Sequence, residues 1–166
     1  MNLKGLRGFK RFVLLLSTAA LFGCAAYPTP AGFELQPEQV AKREANAALQ
    51  NYVQVIRMQN AAETATLFVS NGTLEHTGQT PITGRAQIQA FMESFSNYKV
   101  LSHDMTVLAV SPATTHVSQS GRYVQRVRTP AGDEVTARGW FIIQWQRQAD
   151  GRWLIERAQT SSGPPP

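Results

Sequence analysis

The apolar residues of this chain repeat with two different periods, and the change near Tyr98 constrains the fold more than any other feature. Before it, Ala41, Ala45, Ala48, Leu49, Tyr52, Val53 and Ile56 recur at helical spacing, one stripe running to about Gln59. Ile88, Phe91, Met92 and Phe95 do the same in a later segment. After it, Leu101, His103, Met105, Val107 and Ala109 alternate with more polar neighbours, the period of a half-buried strand. Helices first and strands afterwards predict an α+β domain, with N-terminal helices packed on one face of an antiparallel sheet.

Local punctuation refines this order. Pro37 and Glu38 suit the first turn of a helix. Asn60 reads as an N-cap with Glu63 in the reciprocal capping position, opening a second helix that runs to about Phe68 and buries Leu67 and Phe68. Asn71-Gly72 reads as a turn, residues 73–77 as a short strand, and Pro81 to Gly84 as the connector to a third helix. Turn-forming stretches at 111–114, 130–133 and 149–151 separate strands expected over 99–110, 115–128, 134–148 and 152–160. One domain, 37–160, is therefore expected. Residues 24–36 before it are aperiodic and Pro- and Gly-punctuated, and read as a tether. The tail 161–166 ends in three prolines and reads as disordered or extended.

Residues 1–23 read as an address. Lys4, Arg7, Lys10 and Arg11 precede an apolar run from Phe12 to Phe22. That run is too short to span a bilayer, which takes roughly 20 apolar residues, and has the length of a signal-peptide core. It ends in Leu21-Phe22-Gly23-Cys24, which resembles the lipobox of bacterial lipoproteins, with Phe22 where a small residue is usual. The resemblance implies cleavage before Cys24 and lipid on its thiol. It also implies a cell-envelope location, at the outer membrane facing the periplasm, because Ala25 stands where an inner-membrane retention signal of enteric bacteria has Asp. Four of the sixteen basic residues and none of the eleven acidic ones precede Cys24, so the remainder carries twelve against eleven, a net charge of +1. The pI near 9.8 thus reports mainly the address, and nucleic acid is not an expected partner. Cys24 is the sole cysteine, which excludes an intrachain disulfide and, once it carries lipid, a cysteine nucleophile or metal ligand.

The order of segments resembles the nuclear transport factor 2-like superfamily, the cystatin-like cone shared by SnoaL-like polyketide cyclases and ketosteroid isomerases. The matching features are the first amphipathic helix, the 60–68 helix, Leu74 on a short strand, and Ile82-Thr83-Gly84-Arg85-Ala86-Gln87-Ile88 at the start of the third helix. At the other end they are Gly139-Trp140-Phe141, Trp145, and Asp150-Gly151-Arg152-Trp153-Leu154-Ile155. The resemblance covers roughly 38–160. It implies a pocket between the concave sheet face and the helices, and a sheet through which two copies pair. The superfamily holds isomerases, cyclases, dehydratases, transport factors and noncatalytic binders, so the fold by itself assigns no activity. Asn71-Gly72 stands where many relatives have an acidic residue, and the catalytic Asp and Tyr of the isomerases have no match.

Strand phase and the helical stripe nominate the pocket side chains. His103 shares a face with Leu101, Met105 and Val107; it is a general base, a ligand hydrogen-bonder or a core imidazole. His76 shares a face with Leu74, while its neighbour Glu75 points the other way. Tyr52 on the first helix, Tyr123 and Trp140 either line a pocket or close it. Asp104 points away from His103. Arg122, Arg126 and Arg128 share one strand face that Arg138 joins, as an acidic-partner surface or a solvated outer face. No His-x-His or His-x-x-x-His pair, Gly-rich phosphate loop or Gly-x-Ser-x-Gly elbow occurs, so neither metal nor cofactor is expected. Three functions remain open: an envelope lipoprotein binding a small apolar or amphipathic ligand or a partner protein; an isomerase or dehydratase with His103 or His76 as base and Tyr52 or Tyr123 as donor; and a structural module dimerising through its sheet.

Overall fold

The computed structural model describes residues 34–163. The signal segment, Cys24, most of the tether and the three terminal prolines lie outside the described residues. Helix α1, Pro37–Met58, and the short helix α2, Ala61–Thr66, are followed by strands β1, Phe68–His76, and β2, Ile82–Thr83. Helix α3, Arg85–Glu93, then leads to four long strands: β3, Lys99–Pro112; β4, His116–Arg128; β5, Glu134–Arg147; and β6, Trp153–Ser161. The six strands form one sheet in the order β2-β1-β6-β5-β4-β3. All neighbours are antiparallel except β1 and β6. After β3 is laid on the far edge, three hairpins bring the chain back, so β6 meets β1 pointing the same way. The expected antiparallel sheet is found, with β1 and β6 as its one parallel pair.

The predicted α1 stripe is the helix's buried face: Ala41, Ala45, Leu49, Tyr52 and Val53 are inaccessible, with Val55 beside them. It packs on an inner sheet face made by Val117 of β4, Phe141, Ile143 and Trp145 of β5, and Ile155 and Ala158 of β6, together with Phe68 and Ile88. One polar chain crosses this apolar interior. The Trp145 indole N–H donates to Gln119 Oε1 at 2.7 Å, and Gln119 Nε2 donates to Asn46 Oδ1 at 2.6 Å, so the fully buried Gln119 is satisfied at both ends.

Several local expectations are corrected. Asn60 caps α2 through its Oδ1, which accepts from the Glu63 N–H at 3.0 Å, but the Glu63 carboxylate accepts from the Asn60 side-chain amide and not its backbone. The helix stops at Thr66 because the Leu67 carbonyl accepts from Ile155 N–H at 2.8 Å and turns the chain into the sheet; Phe68 is buried as the first residue of β1. Asn71-Gly72 lies inside β1, not at a turn. Between Phe68 and Thr73 the strand advances five residues while β6 advances two, a bulge that brings Gly72 against its neighbours. A Cβ at Gly72 would lie 2.9 Å from the Ile155 carbonyl oxygen and 3.1 Å from Phe68 Cβ, so glycine is required by close approach. In α3 only Ile88 is fully buried; the helix ends at Glu93, leaving Phe91 and Met92 half-buried and Phe95 exposed. A second bulge between Val107 and Ala109 resets the phase of β3, so Val110 and not Ala109 packs on the core. Ser161, expected in the tail, pairs with Trp140 as the last residue of β6.

Candidate functional site

Three of the sequence-nominated residues meet at one place. Tyr52 comes from the buried stripe of α1, His103 from β3 and Tyr123 from β4. The β3–β4 register pairs His103 with Gln125 and Met105 with Tyr123, which puts Tyr123 diagonally across from the imidazole on the same face. Both tyrosine rings lie with their centroids 6.5 Å from the imidazole centroid, Tyr52 edge-on and Tyr123 tilted. Gly139, paired with Tyr123 across β4 and β5, makes room for it: a Cβ there would lie 2.8 Å from the Tyr123 ring and collide with the Ser161 carbonyl. A residue that the sequence did not nominate, Arg57, fixes the strand at this point. Its Nε donates to the His103 carbonyl at 2.9 Å and its Nη2 to Asp104 Oδ1 at 2.6 Å. The signal for it was present, one residue past the α1 stripe, but its partner on the sheet edge is a tertiary fact.

His103 is 7% exposed, and both its ring nitrogens are buried with no hydrogen-bond partner among the described residues. Burial lowers its pKa from 6.5 to about 4; the Asp104 carboxylate pulls the other way and Arg57 adds a smaller downward push. The imidazole is therefore neutral at pH 7, with one N–H donor and one bare acceptor nitrogen. Burial also raises the Tyr52 phenol to about 12 and raises that of Tyr123, so both rings keep their protons. Asp104 points outward as expected and is exposed, its charge engaged by Arg57. The inner face opens from this cluster toward the β4–β5 hairpin. Gln125 and Val127 are half-buried, and Val135 and Ala137, paired opposite them, are exposed.

The other nominated residues are elsewhere. His76 is on β1, separated from the strand of His103 by the three strands β6, β5 and β4, and its Nδ1 is 2.9 Å from Thr160 Oγ1. Glu75 beside it takes a 2.6 Å hydrogen bond from Arg157, so the two neighbours act separately, as their opposite directions predict. Trp140 is corrected: it pairs with Arg122 on the outer sheet face, with the guanidinium 4.8 Å from the ring, while its neighbour Phe141 fills the core. Trp140 therefore cannot join the His103 site. Arg126 and Arg128 share Glu134, at 2.7 and 2.9 Å, on that same outer face. An open groove of about 400 Å³ lies between α1, the end of α2 and the start of β6, lined by Ala47, Ala48, Leu67 and Trp153 among others. It contains none of the nominated residues.

The SnoaL-like domain family matches residues 39–159. No match is found among curated proteins. Among solved structures, a ketosteroid isomerase-like protein from Erwinia carotovora atroseptica is 16% identical with a TM-score of 0.65, covering 72% of this chain and 93% of its own. A nuclear transport factor 2-like protein with a cystatin-like fold from Novosphingobium aromaticivorans is 16% identical with a TM-score of 0.63, covering 74% and 82%. A protein from Catenulispora acidiphila, solved in complex with S-DNPA, is 18% identical with a TM-score of 0.64, covering 74% and 93%. At these identities the likenesses show a shared fold. With the family match over most of its length, the chain belongs to the SnoaL-like domain family.

Proposed function

We infer that this protein binds a small, uncharged, amphipathic ligand at the Tyr52–His103–Tyr123 cluster, and that it does so as a lipoprotein of the bacterial envelope, held by lipid on Cys24 at the outer membrane facing the periplasm. The observation that carries the binding reading is His103: an imidazole between two aromatic rings, with two buried nitrogens that have no partner among the described residues. Leaving a buried polar group unpaired costs roughly 1–3 kcal/mol, and a ligand hydroxyl or carbonyl reaching in from the hairpin side relieves that cost. A charged group gains nothing there, since the Arg57 guanidinium is taken by Asp104 and the His103 carbonyl.

The same chemistry favours binding over acid–base turnover. A base near 4 is a few hundred-fold weaker than an unperturbed imidazole, and phenols raised by burial are poor proton donors. Native mass spectrometry of the detergent-extracted protein from its own host tests the reading. A copurifying small molecule is expected on the unaltered chain and absent from His103→Phe, which keeps an aromatic ring at the position and removes both nitrogens. A ligand that stays bound to His103→Phe sinks the assignment. For the anchor, metabolic labelling with a clickable fatty acid is expected to mark the unaltered chain and not Cys24→Ser. An unlabelled parent chain would remove the lipid from the proposal.

A further inference from the structure

One end of the described domain carries an apolar rim whose purpose the core does not explain. Tyr98 leads into β3 there, Lys99 begins it, and Val100 pairs with Val127, which pairs with Val135, giving an aliphatic row across three strands. Gln59, just past the end of α1, is tied to this end: its side-chain amide donates to the Tyr98 carbonyl at 2.6 Å and its Oε1 accepts from Val100 N–H at 3.1 Å. Phe95 stacks edge-on against Tyr98 at 5.8 Å. Met58 is 62% exposed, Val135 48%, Phe95 44% and Tyr98 36%, four of the five large apolar side chains that stand out most into solvent among the described residues. Exposed apolar residues gathered in this way mark an interaction surface more than chance exposure does.

We propose that this rim seats in the interface of a phospholipid bilayer. Three observations select that occupant. The first is charge. The strand ends at the rim bring three basic residues, Lys99, Arg126 and Arg128, against two acidic ones, Asp133 and Glu134; Arg126 and Arg128 share the one Glu134 carboxylate and Lys99 has no ion-pair partner among the described residues, an excess of one positive charge that suits anionic headgroups. The second is composition: a phenol and a phenyl ring beside a lysine form the amphipathic set that settles at the boundary of headgroups and acyl chains. The third is reach. The twelve residues 25–36 extend to at most roughly 40 Å, whereas α1, with 22 residues, is about 33 Å long. An acyl chain on Cys24 thus leaves the far end of α1 free to meet the same bilayer.

The aliphatic row lies on the same sheet face as His103, one step outward along β4 from Gln125. A bilayer at the rim would deliver an amphipathic molecule directly to the open side of the His103 cluster. The inference deepens the proposed function and rests on its envelope location, but its test separates the two.

Single tryptophans are introduced into the full-length chain at Tyr98→Trp, Val135→Trp and Leu108→Trp. Leu108 is 57% exposed and lies on β3 ten residues beyond Tyr98, so it serves as the distant reporter. Each protein is mixed with vesicles of phosphatidylcholine and phosphatidylglycerol brominated near the glycerol end of the acyl chains, and the emission added over the parent chain is recorded. Most of the added emission at positions 98 and 135 is expected to be lost, with little loss at 108. No quenching at 98 and 135, or quenching at 108 equal to theirs, overturns the proposal. So does self-association of the Tyr98→Trp protein in the absence of vesicles that buries the introduced tryptophan, because it assigns the rim to a second copy. His103→Phe, combined with Tyr98→Trp, is expected to leave quenching unchanged, so a failed ligand assignment and a failed membrane contact are read independently.

Discussion

Lowering the pH from 7 to 4 is expected to remove about 3 kcal/mol of folding stability through His103 alone. The imidazole holds a pKa of about 4 in the folded protein because burial penalises its charged form, and returns to about 6.5 when the chain unfolds. Above 6.5 both states carry it neutral and it contributes no pH dependence. Between 6.5 and 4 the unfolded chain takes up a proton that the folded chain refuses, so protonation favours unfolding progressively across that window. Below 4 both states are charged and the loss is complete. Urea unfolding at pH 7, 5.5 and 4 measures this against His103→Phe, which has no imidazole to titrate at this position and is expected to lose about 3 kcal/mol less than the parent chain across the window. The variant is also expected to be more stable at pH 7, since it removes two buried polar atoms that have no partner among the described residues. Parallel pH profiles for the two proteins would show that the imidazole is not shielded as the geometry requires. A gain in stability combined with loss of ligand would mark His103 as a position where function is kept at the expense of the fold.

Phe141→Ala is expected to cost about 4 kcal/mol, lowering the midpoint of thermal unfolding by roughly 12–20 °C. Phe141 is 1% exposed in the middle of β5, and its ring lies toward Gly121 on β4: a Cβ added to that glycine would come 2.9 Å from Phe141 Cε1. The cost of truncating a core side chain depends on how far its surroundings can collapse. Here the facing residue has no side chain to move into the space, and a Cβ at that position would also collide with the Thr106 carbonyl of the next strand. The cavity therefore persists. Differential scanning calorimetry of the two proteins gives the value directly, and a loss below about 1 kcal/mol would mean that α1 settles into the gap.

These side chains also show which parts of the fold could be read from sequence. The inward direction of His103 was legible because the alternation through Met105 and Val107 runs uninterrupted between two irregularities, one near Leu101 and one at Leu108. Beyond the second, the count slips by one and Ala109 exchanges places with Val110. No residue type announces a bulge of that kind. Trp140 failed for a different reason. The run Trp140-Phe141-Ile142-Ile143 is apolar at every position, so it has no phase of its own. Its faces are decided across the ladder, where Gly121 meets Phe141 and Arg122 meets Trp140. Asn71-Gly72 carried a genuine turn signal, overridden by pairing with β6, a partner more than eighty residues away. Tyr52, His103 and Tyr123 were nominated for one pocket together with His76 and Trp140, and only the register of β3 on β4 and the seat of α1 separate the three that meet from the two that do not.

That distant pairing has a bearing on the order in which the molecule assembles. The hairpins from β3 to β6 link near neighbours in the chain, whereas β1 reaches β6 through contacts such as Arg157 to Glu75 and His76 to Thr160, 82 and 84 residues apart. Such long closures carry the entropic cost that slows folding. Ile155 and Ala158, which β1 and the helices pack against, belong to the last strand of the chain. A chain emerging from its N-terminus, whether from a ribosome or through a membrane, must therefore leave the β6-facing edge of β1 and part of the α1 face uncovered until β6 arrives. Slowing that arrival, or trimming a few residues from Trp153–Ser161, leaves that edge and face without a partner and open to association with other chains.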